Sequence, residues 1–181
     1  MIYYHVSSCV SEKQLLTRET KKHRCYCEYI CSCDSVDYEK YKNDYNEFLK
    51  NKIDQNTGRD AAKWICEAVF EGVRKKCFPE KPSRVWGIYL SNSYENAIKF
   101  LNNYRDPETA HIYEVNIKFK ILGFDMSFFT KADERIRKES FSFASYQHAI
   151  DLAKDYWNEC VQNEMDEYIV DDEIIIGPRV Y

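Results

Sequence analysis

Glycine and proline are scarce in this sequence, 5 and 4 among 181 residues. Loops that cradle phosphates with bare backbone consume several glycines within a few positions, and no such run occurs here. No stretch reaches the roughly 18–20 apolar residues of a membrane span. The opening Met1-Ile2-Tyr3-Tyr4-His5 has neither a charged leader nor an apolar core, so a cytoplasmic protein with no membrane partner is expected. An excess of positive charge is missing too. Lys and Arg number 26 against 30 Asp and Glu, a net charge of −4, so there is no strong nucleic-acid signal of the kind that clustered cations provide. The G-x-S-x-G, P-loop and H-E-x-x-H patterns are absent, and His23, His111 and His148 lack ligand spacing.

Aromatic residues and cysteines are abundant: 15 Tyr, 10 Phe and 8 Cys. A chain of this length with 44% hydrophobic residues has the material for one core, so a single domain over 1–181 is expected. Four cysteines, Cys25, Cys27, Cys31 and Cys33, spell C-x-C-x3-C-x-C. Thiolates at that density suit zinc or copper(I), although structural zinc sites commonly use C-x2-C pairs from two places. The alternative follows from parity: with Tyr29, the four thiols fall on one face of an extended strand and pack as buried, unligated side chains. No metal is expected on that reading. Cys9, Cys66, Cys77 and Cys160 read as core filler.

Alternation predicts a strand at Tyr3–Ser7, and the cysteine segment is a second strand candidate. Tyr38, Tyr41, Tyr45, Phe48, Leu49 and Ile53 recur at helical spacing. Past Gly58, a helix is predicted over 60–76, with Ala61, Trp64, Ile65, Ala68, Val69 and Val73 on one side. Beyond Pro79 and Pro82 comes a β run, Val85–Leu90. Asn92 with Glu95 resembles a capping box, with Ser93 as the rival cap, for a helix over Tyr94–Asn103. A strand over His111–Phe119, a charged loop over Lys131–Ser140 and a helix over Ser145–Cys160 follow. Strands at Glu167–Val170 and Glu173–Pro178 end the chain. Strands at both ends with helices between them indicate an α+β domain whose terminal strands join one sheet.

Three separated segments expose polar or aromatic groups at strand ends: Tyr4-His5-Val6-Ser7-Ser8, Gly87-Ile88-Tyr89-Leu90-Ser91-Asn92-Ser93 and Asp166-Glu167-Tyr168-Ile169-Val170. Singly, each has an ordinary explanation: a structural histidine, a core tyrosine and an edge carboxylate. Together they resemble the signature of the ADP-ribosyltransferase fold, in its His-Tyr-Glu branch of diphtheria-toxin-like enzymes and poly-ADP-ribose polymerases. His5-Val6-Ser7 resembles the first-strand motif, Gly87-Ile88-Tyr89 the second, with Phe100 eleven residues after Tyr89, and Asp166-Glu167-Tyr168-Ile169-Val170 the third. Elsewhere, Phe70-Glu71-Gly72-Val73-Arg74, Pro82-Ser83-Arg84 and Ala153-Lys154-Asp155-Tyr156-Trp157 resemble a small bacterial family of uncharacterised proteins.

The resemblance implies a split, mostly antiparallel β-sheet core with flanking helices. It implies NAD as substrate, with ADP-ribose passed to an unidentified macromolecular or small-molecule acceptor, or to water. Glu167, His5 and Tyr89 take the catalytic positions. His5, Val6, Ser7, Tyr89, Ser91 and Phe100 take the NAD-binding ones. In those roles Glu167 stabilises the ribosyl oxocarbenium, His5 bonds the adenosine-side ribose, and the Val6 backbone holds the nicotinamide amide. Tyr89 and Phe100 sandwich the nicotinamide ring, each contact worth about 0.5–1.5 kcal/mol. Val6 stands where the family usually has Gly, and Phe100 lacks the hydroxyl of a Tyr. Glu164 lies three residues before Glu167 instead of two, so the Glu-x-Glu pair of arginine-directed enzymes is absent. Acceptor choice is expected to lie in variable loops over 124–143. Two rivals stand beside this reading: a catalytically silent binding module of the same fold, and a thiolate-metal protein built on the cysteine cluster.

Overall fold

A computed structural model describes residues 1–17, 29–30, 36–50, 61–119, 121–158 and 166–181. The chain divides into two compact units, each discontinuous in sequence. The first comprises Met1–Lys22, Trp86–Asp125 and Cys160–Tyr181; the second comprises His23–Val85 and Met126–Glu159. The fold is mixed α and β, with two antiparallel sheets.

In the first unit, period-2 alternation sets the strands. Strands β1 (Ile2–Ser7), β4 (His111–Asn116), β7 (Ile174–Arg179) and β2 (Leu15–Leu16) form one sheet in the order β1-β4-β7-β2. A second sheet has the order β3-β6-β5, from β3 (Ile88–Leu90), β6 (Asp166–Val170) and β5 (Leu122–Asp125). The sheet is therefore split and antiparallel, as expected. The terminal strands do join one sheet, with β4 between them. Among the described residues a single bridge, Tyr4 to Ser91, links the two sheets.

Tyr3, Tyr113, Val115 and Ile176 pack with Ile88, Leu90 and Val170 in one apolar cluster. On the opposite face of β1 and β4, Val6 and Ile112 pack against Ala97 and Leu101 of helix α3 (Tyr94–Tyr104). Ser93 caps that helix, its side chain accepting from the Asn96 amide, so the N-cap falls on Ser93 and not on Asn92. Two of the expected strands are shorter than the sequence suggests. β4 stops at Asn116 because its partner begins at Ile2. The run from Val85 becomes β3 only at Ile88, since the Ser83 hydroxyl accepts the Val85 amide and turns the chain.

The described part of the second unit is helical: α1 (Tyr38–Lys50), α2 (Ala61–Cys77), α4 (Met126–Glu139) and α5 (Phe143–Asn158). Asp37 caps α1 through the Glu39 and Lys40 amides, and Ser142 and Ser145 exchange hydrogen bonds at the start of α5. Helix α2 is buried almost all round, and the Trp157 indole donates to the Phe70 carbonyl at 2.9 Å. Leu49 stays exposed.

Helix α4 replaces the charged loop expected over Lys131–Ser140. Phe129, Ala132 and Ile136 supply a narrow apolar stripe, and Asp133–Arg137 and Arg135–Glu139 pair at i,i+4. Ser140, at φ 62°, ends it. Cys66 is buried, whereas Cys9 and Cys77 are exposed and are not core filler. Cys25, Cys27, Cys31, Cys33 and Cys160, together with Gly58, lie outside the described residues. Within the cysteine segment, Tyr29 and Ile30 are helical and not extended; Ile30 is fully buried and the Tyr29 hydroxyl donates to Asp44.

Gly177 sits where β7 carries one residue more than β4, between the Val115–Ile176 and Tyr113–Arg179 pairs. A Cβ there would lie 2.6 Å from the Glu114 carbonyl oxygen, a backbone atom that cannot rotate away. Gly177→Ala is therefore expected to destabilise the protein by about 1–3 kcal/mol, read from urea midpoints; an unchanged midpoint would show that the β4–β7 pairing yields freely.

Candidate functional site

Strand alternation decides which of the sequence-marked residues meet. Tyr89 pairs with Ile169, and Glu167 lies two residues along the same strand, so Tyr89 and Glu167 project from one face of the β3-β6-β5 sheet. Phe124, opposite Glu167 on β5, shares that face. Glu167 is 8% exposed, Phe124 and Ile169 are buried, and Tyr89 is half-buried. A carboxylate so placed keeps a strong field, because little water screens it.

The ring of His5 reaches the strand that carries Tyr89. Its Nδ1 lies 3.0 Å from the Tyr89 carbonyl oxygen. A carbonyl only accepts, so Nδ1 carries the hydrogen, and a neutral ring then presents Nε2 as an acceptor. By alternation the His5 side chain leaves β1 on the face of Tyr3, while Tyr4 and Val6 face α3. Ser91 is buried, and its N–H and C=O both bond Tyr4, at 2.9 Å each. The Ser7 hydroxyl accepts the Cys9 amide.

His5 thus meets β3 at the Tyr89 backbone, and Tyr89 and Glu167 share one face of the β3-β6-β5 sheet, while Tyr3, on the side of β1 that carries His5, packs with Ile88, Leu90 and Val170 of the reverse face. Phe100 is held differently: its ring lies 5.3 Å from Tyr104 and 5.0 Å from the Arg105 guanidinium carbon, with Val6 and Leu101 in the same cluster. The Val6 side chain is buried against Ala97, Leu101 and Ile112. The segment expected to hold acceptor loops is instead the end of β5 followed by α4.

Sequence reasoning missed two groups of buried charge. Asp125, 5% exposed at the end of β5, has no distinguishing pattern around it. In the second unit, Glu67 and Glu71 stand one turn apart on α2. Arg84 donates to Glu67 through Nε at 3.1 Å and to the Tyr156 hydroxyl at 2.8 Å, with Phe129 4.4 Å beneath its guanidinium. Arg74 grips Glu71 with two bonds, at 2.7 and 3.0 Å, and Ser83 adds a third at 3.1 Å. Glu71, Arg74, Ser83, Arg84 and Tyr156 fall within the segments Phe70–Arg74, Pro82–Arg84 and Ala153–Trp157, whereas Glu67 and Phe129 lie outside them. The charges of this second group are matched bond for bond, which marks a packing network.

Asp133 differs. One carboxylate oxygen accepts from Arg137 at 2.8 Å, and the other is buried without a hydrogen-bond partner among the described residues. Burial pushes its pKa up to about 6, with Lys63 opposing and Glu67 and Glu134 adding to the rise. Burial also raises the Cys66 thiol well above its ordinary value. No group of three or more metal-ligating side chains occurs among the described residues, and none of their helices is long and apolar enough to cross a membrane.

The family model described as Protein of unknown function (DUF2441) matches residues 3–179. No curated protein matches the chain.

For Asp133 the folded state holds its proton more tightly than the unfolded chain does, whose value is 3.8. Its destabilising effect is therefore absent below about pH 4, grows between about pH 4 and 6, and is complete above. Asp133→Asn is expected to gain about 1–3 kcal/mol at pH 7 and nothing at pH 4, measured as urea midpoints across that range. An equal change at both pH values would refute this titration.

Proposed function

We propose that this protein, which belongs to the DUF2441 family over residues 3–179, binds NAD at the β1–β3–β6 junction and breaks its nicotinamide–ribose bond in the cytoplasm. The ADP-ribose passes to an acceptor, or to water. The observation that carries the reading is the placement of Glu167 and Tyr89 on one face of adjacent strands, with the His5 ring bonded to the Tyr89 carbonyl. Two of the segments that resemble the His-Tyr-Glu signature share a sheet face, and the first touches the second through the His5 ring.

Each group has a task that its chemistry suits. As the C1′–N1 bond breaks, the electron pair leaves with nicotinamide, and positive charge grows on the ribose. Glu167, a carboxylate in a poorly hydrated position, stabilises that charge. Nδ1 of His5 bonds the Tyr89 carbonyl, which holds the ring at β3 in the position that the resemblance gives to ribose binding. Tyr89 offers a ring face to the nicotinamide. The nucleophile, an acceptor hydroxyl or amine or a water, then adds to C1′ and loses its proton to solvent or to Glu167.

A second reading has an observation of its own. Phe100 lies against Tyr104 and Arg105, and Val6 occupies the position where close backbone approach needs Gly, an arrangement that suits a module which binds NAD without turning it over.

Incubation with nicotinamide-labelled NAD separates the two. The enzyme reading expects label release that Glu167→Gln lowers by about 100-fold or more. Equal release from both proteins overturns it, and saturable NAD binding with no release supports the silent module.

A further inference from the structure

We propose that Tyr168 is a positioning residue that sets where β6 presents Glu167 beside Tyr89, acting through Asn92 from the reverse face of the sheet. The inference rests on the role given to Glu167 above.

The ladder between β3 and β6 stops at the Leu90–Tyr168 pair. The next residue of β3 is Ser91, whose backbone N–H and C=O are both engaged with Tyr4. Strand β3 is thus handed from β6 to β1 at the point where Glu167 begins. On its other side Glu167 is paired with Phe124 of β5.

A side-chain bond continues where the backbone ladder ends. Asn92 Nδ2 donates to the Tyr168 hydroxyl at 3.3 Å. The Asn92 amide is itself oriented, since its Oδ1 accepts at 3.1 Å from Nδ2 of Asn96, three residues beyond the Ser93 cap of α3. The Tyr168 ring has its own seat, 5.2 Å from the Tyr3 ring and flat over Gly123, its partner across the ladder. A Cβ on Gly123 would meet the ring at 2.8 Å. Three elements therefore locate one hydroxyl: β1 and β5 hold the ring, and the start of α3 holds its donor. Because side chains alternate, the Glu167 carboxylate leaves β6 on the opposite face and needs no contact with Tyr168 to be governed by it.

The full-length chain tests this with Tyr168→Phe, Asn92→Ala, their double variant and Gly123→Ala. Nicotinamide release is measured over a range of NAD concentrations. Each single variant is expected to lower kcat about threefold to tenfold, with KM for NAD within about twofold. The double variant should lose no more than either single, because both remove the same bond. Multiplied losses in the double variant, a raised KM at unchanged kcat, or no loss in Tyr168→Phe overturns the inference. Hydrogen exchange of the Glu167 amide supplies a readout that does not need catalysis: it should quicken in Tyr168→Phe and Asn92→Ala at an unchanged urea midpoint. If wild type releases no nicotinamide, the catalytic reading fails, and the exchange result alone decides whether Tyr168 positions the strand.

Discussion

Two backbone hydrogen bonds hold the β architecture in register: Tyr4 N–H to the Ser91 carbonyl, and Ser91 N–H to the Tyr4 carbonyl. Among the described residues they make the one bridge between the four-stranded and three-stranded sheets. Everything proposed about the site depends on that junction. It brings the His5 strand against the Tyr89 strand, lets the His5 ring reach a β3 carbonyl, and draws β3 away from β6 just where Glu167 stands. A slip of one residue at the bridge would turn every side chain of β1 to its other face, taking Tyr3 out of the apolar cluster and Val6 away from α3. Burial on both sides of β1 is what resists such a slip.

The burial of charge follows two patterns. In the helical unit, Glu67 with Arg84 and Glu71 with Arg74 are buried as matched pairs, each with additional hydroxyl donors or ring faces around it. Such pairs contribute modestly to net stability while making their own disruption expensive, so they specify one packing of the 79–85 segment against α2. Asp133 departs from that pattern, with one oxygen matched and one not.

Local signals in the sequence were strong where a single period ruled. The alternation of β1 and β6 and the wide apolar stripes of α2 and α5 were readable, because burial on one face of a regular element writes its own spacing. Helix α4 was not, since Phe129, Ala132 and Ile136 are a thin stripe and Lys131–Glu139 is charged at every position but Ala132 and Ile136, and its i,i+4 ion pairs look like loop polarity. Short β5 and β2 carry too few residues to show alternation. The contact of His5 with the Tyr89 strand and the shared face of Tyr89 and Glu167 were marked out only by the resemblance, and the contact of the Phe100 ring with Arg105, five residues on, was not marked out at all. Asp125 and Asp133 were illegible, because a buried carboxylate is written in the sequence like an exposed one.

The strand order has a consequence for the making of the protein. Strand β4 is flanked by β1 and β7, and β3 has β6 as its partner, so residues 166–181 complete both sheets. These residues follow every segment of the helical unit in the chain. During synthesis, the helical unit has its whole sequence available while β4 still lacks one neighbour and β3 its ladder. Glu167 arrives with that segment. A nascent chain from which β6 has not yet emerged therefore holds His5 and Tyr89 but not the carboxylate, and β3 cannot form its ladder until β6 is made.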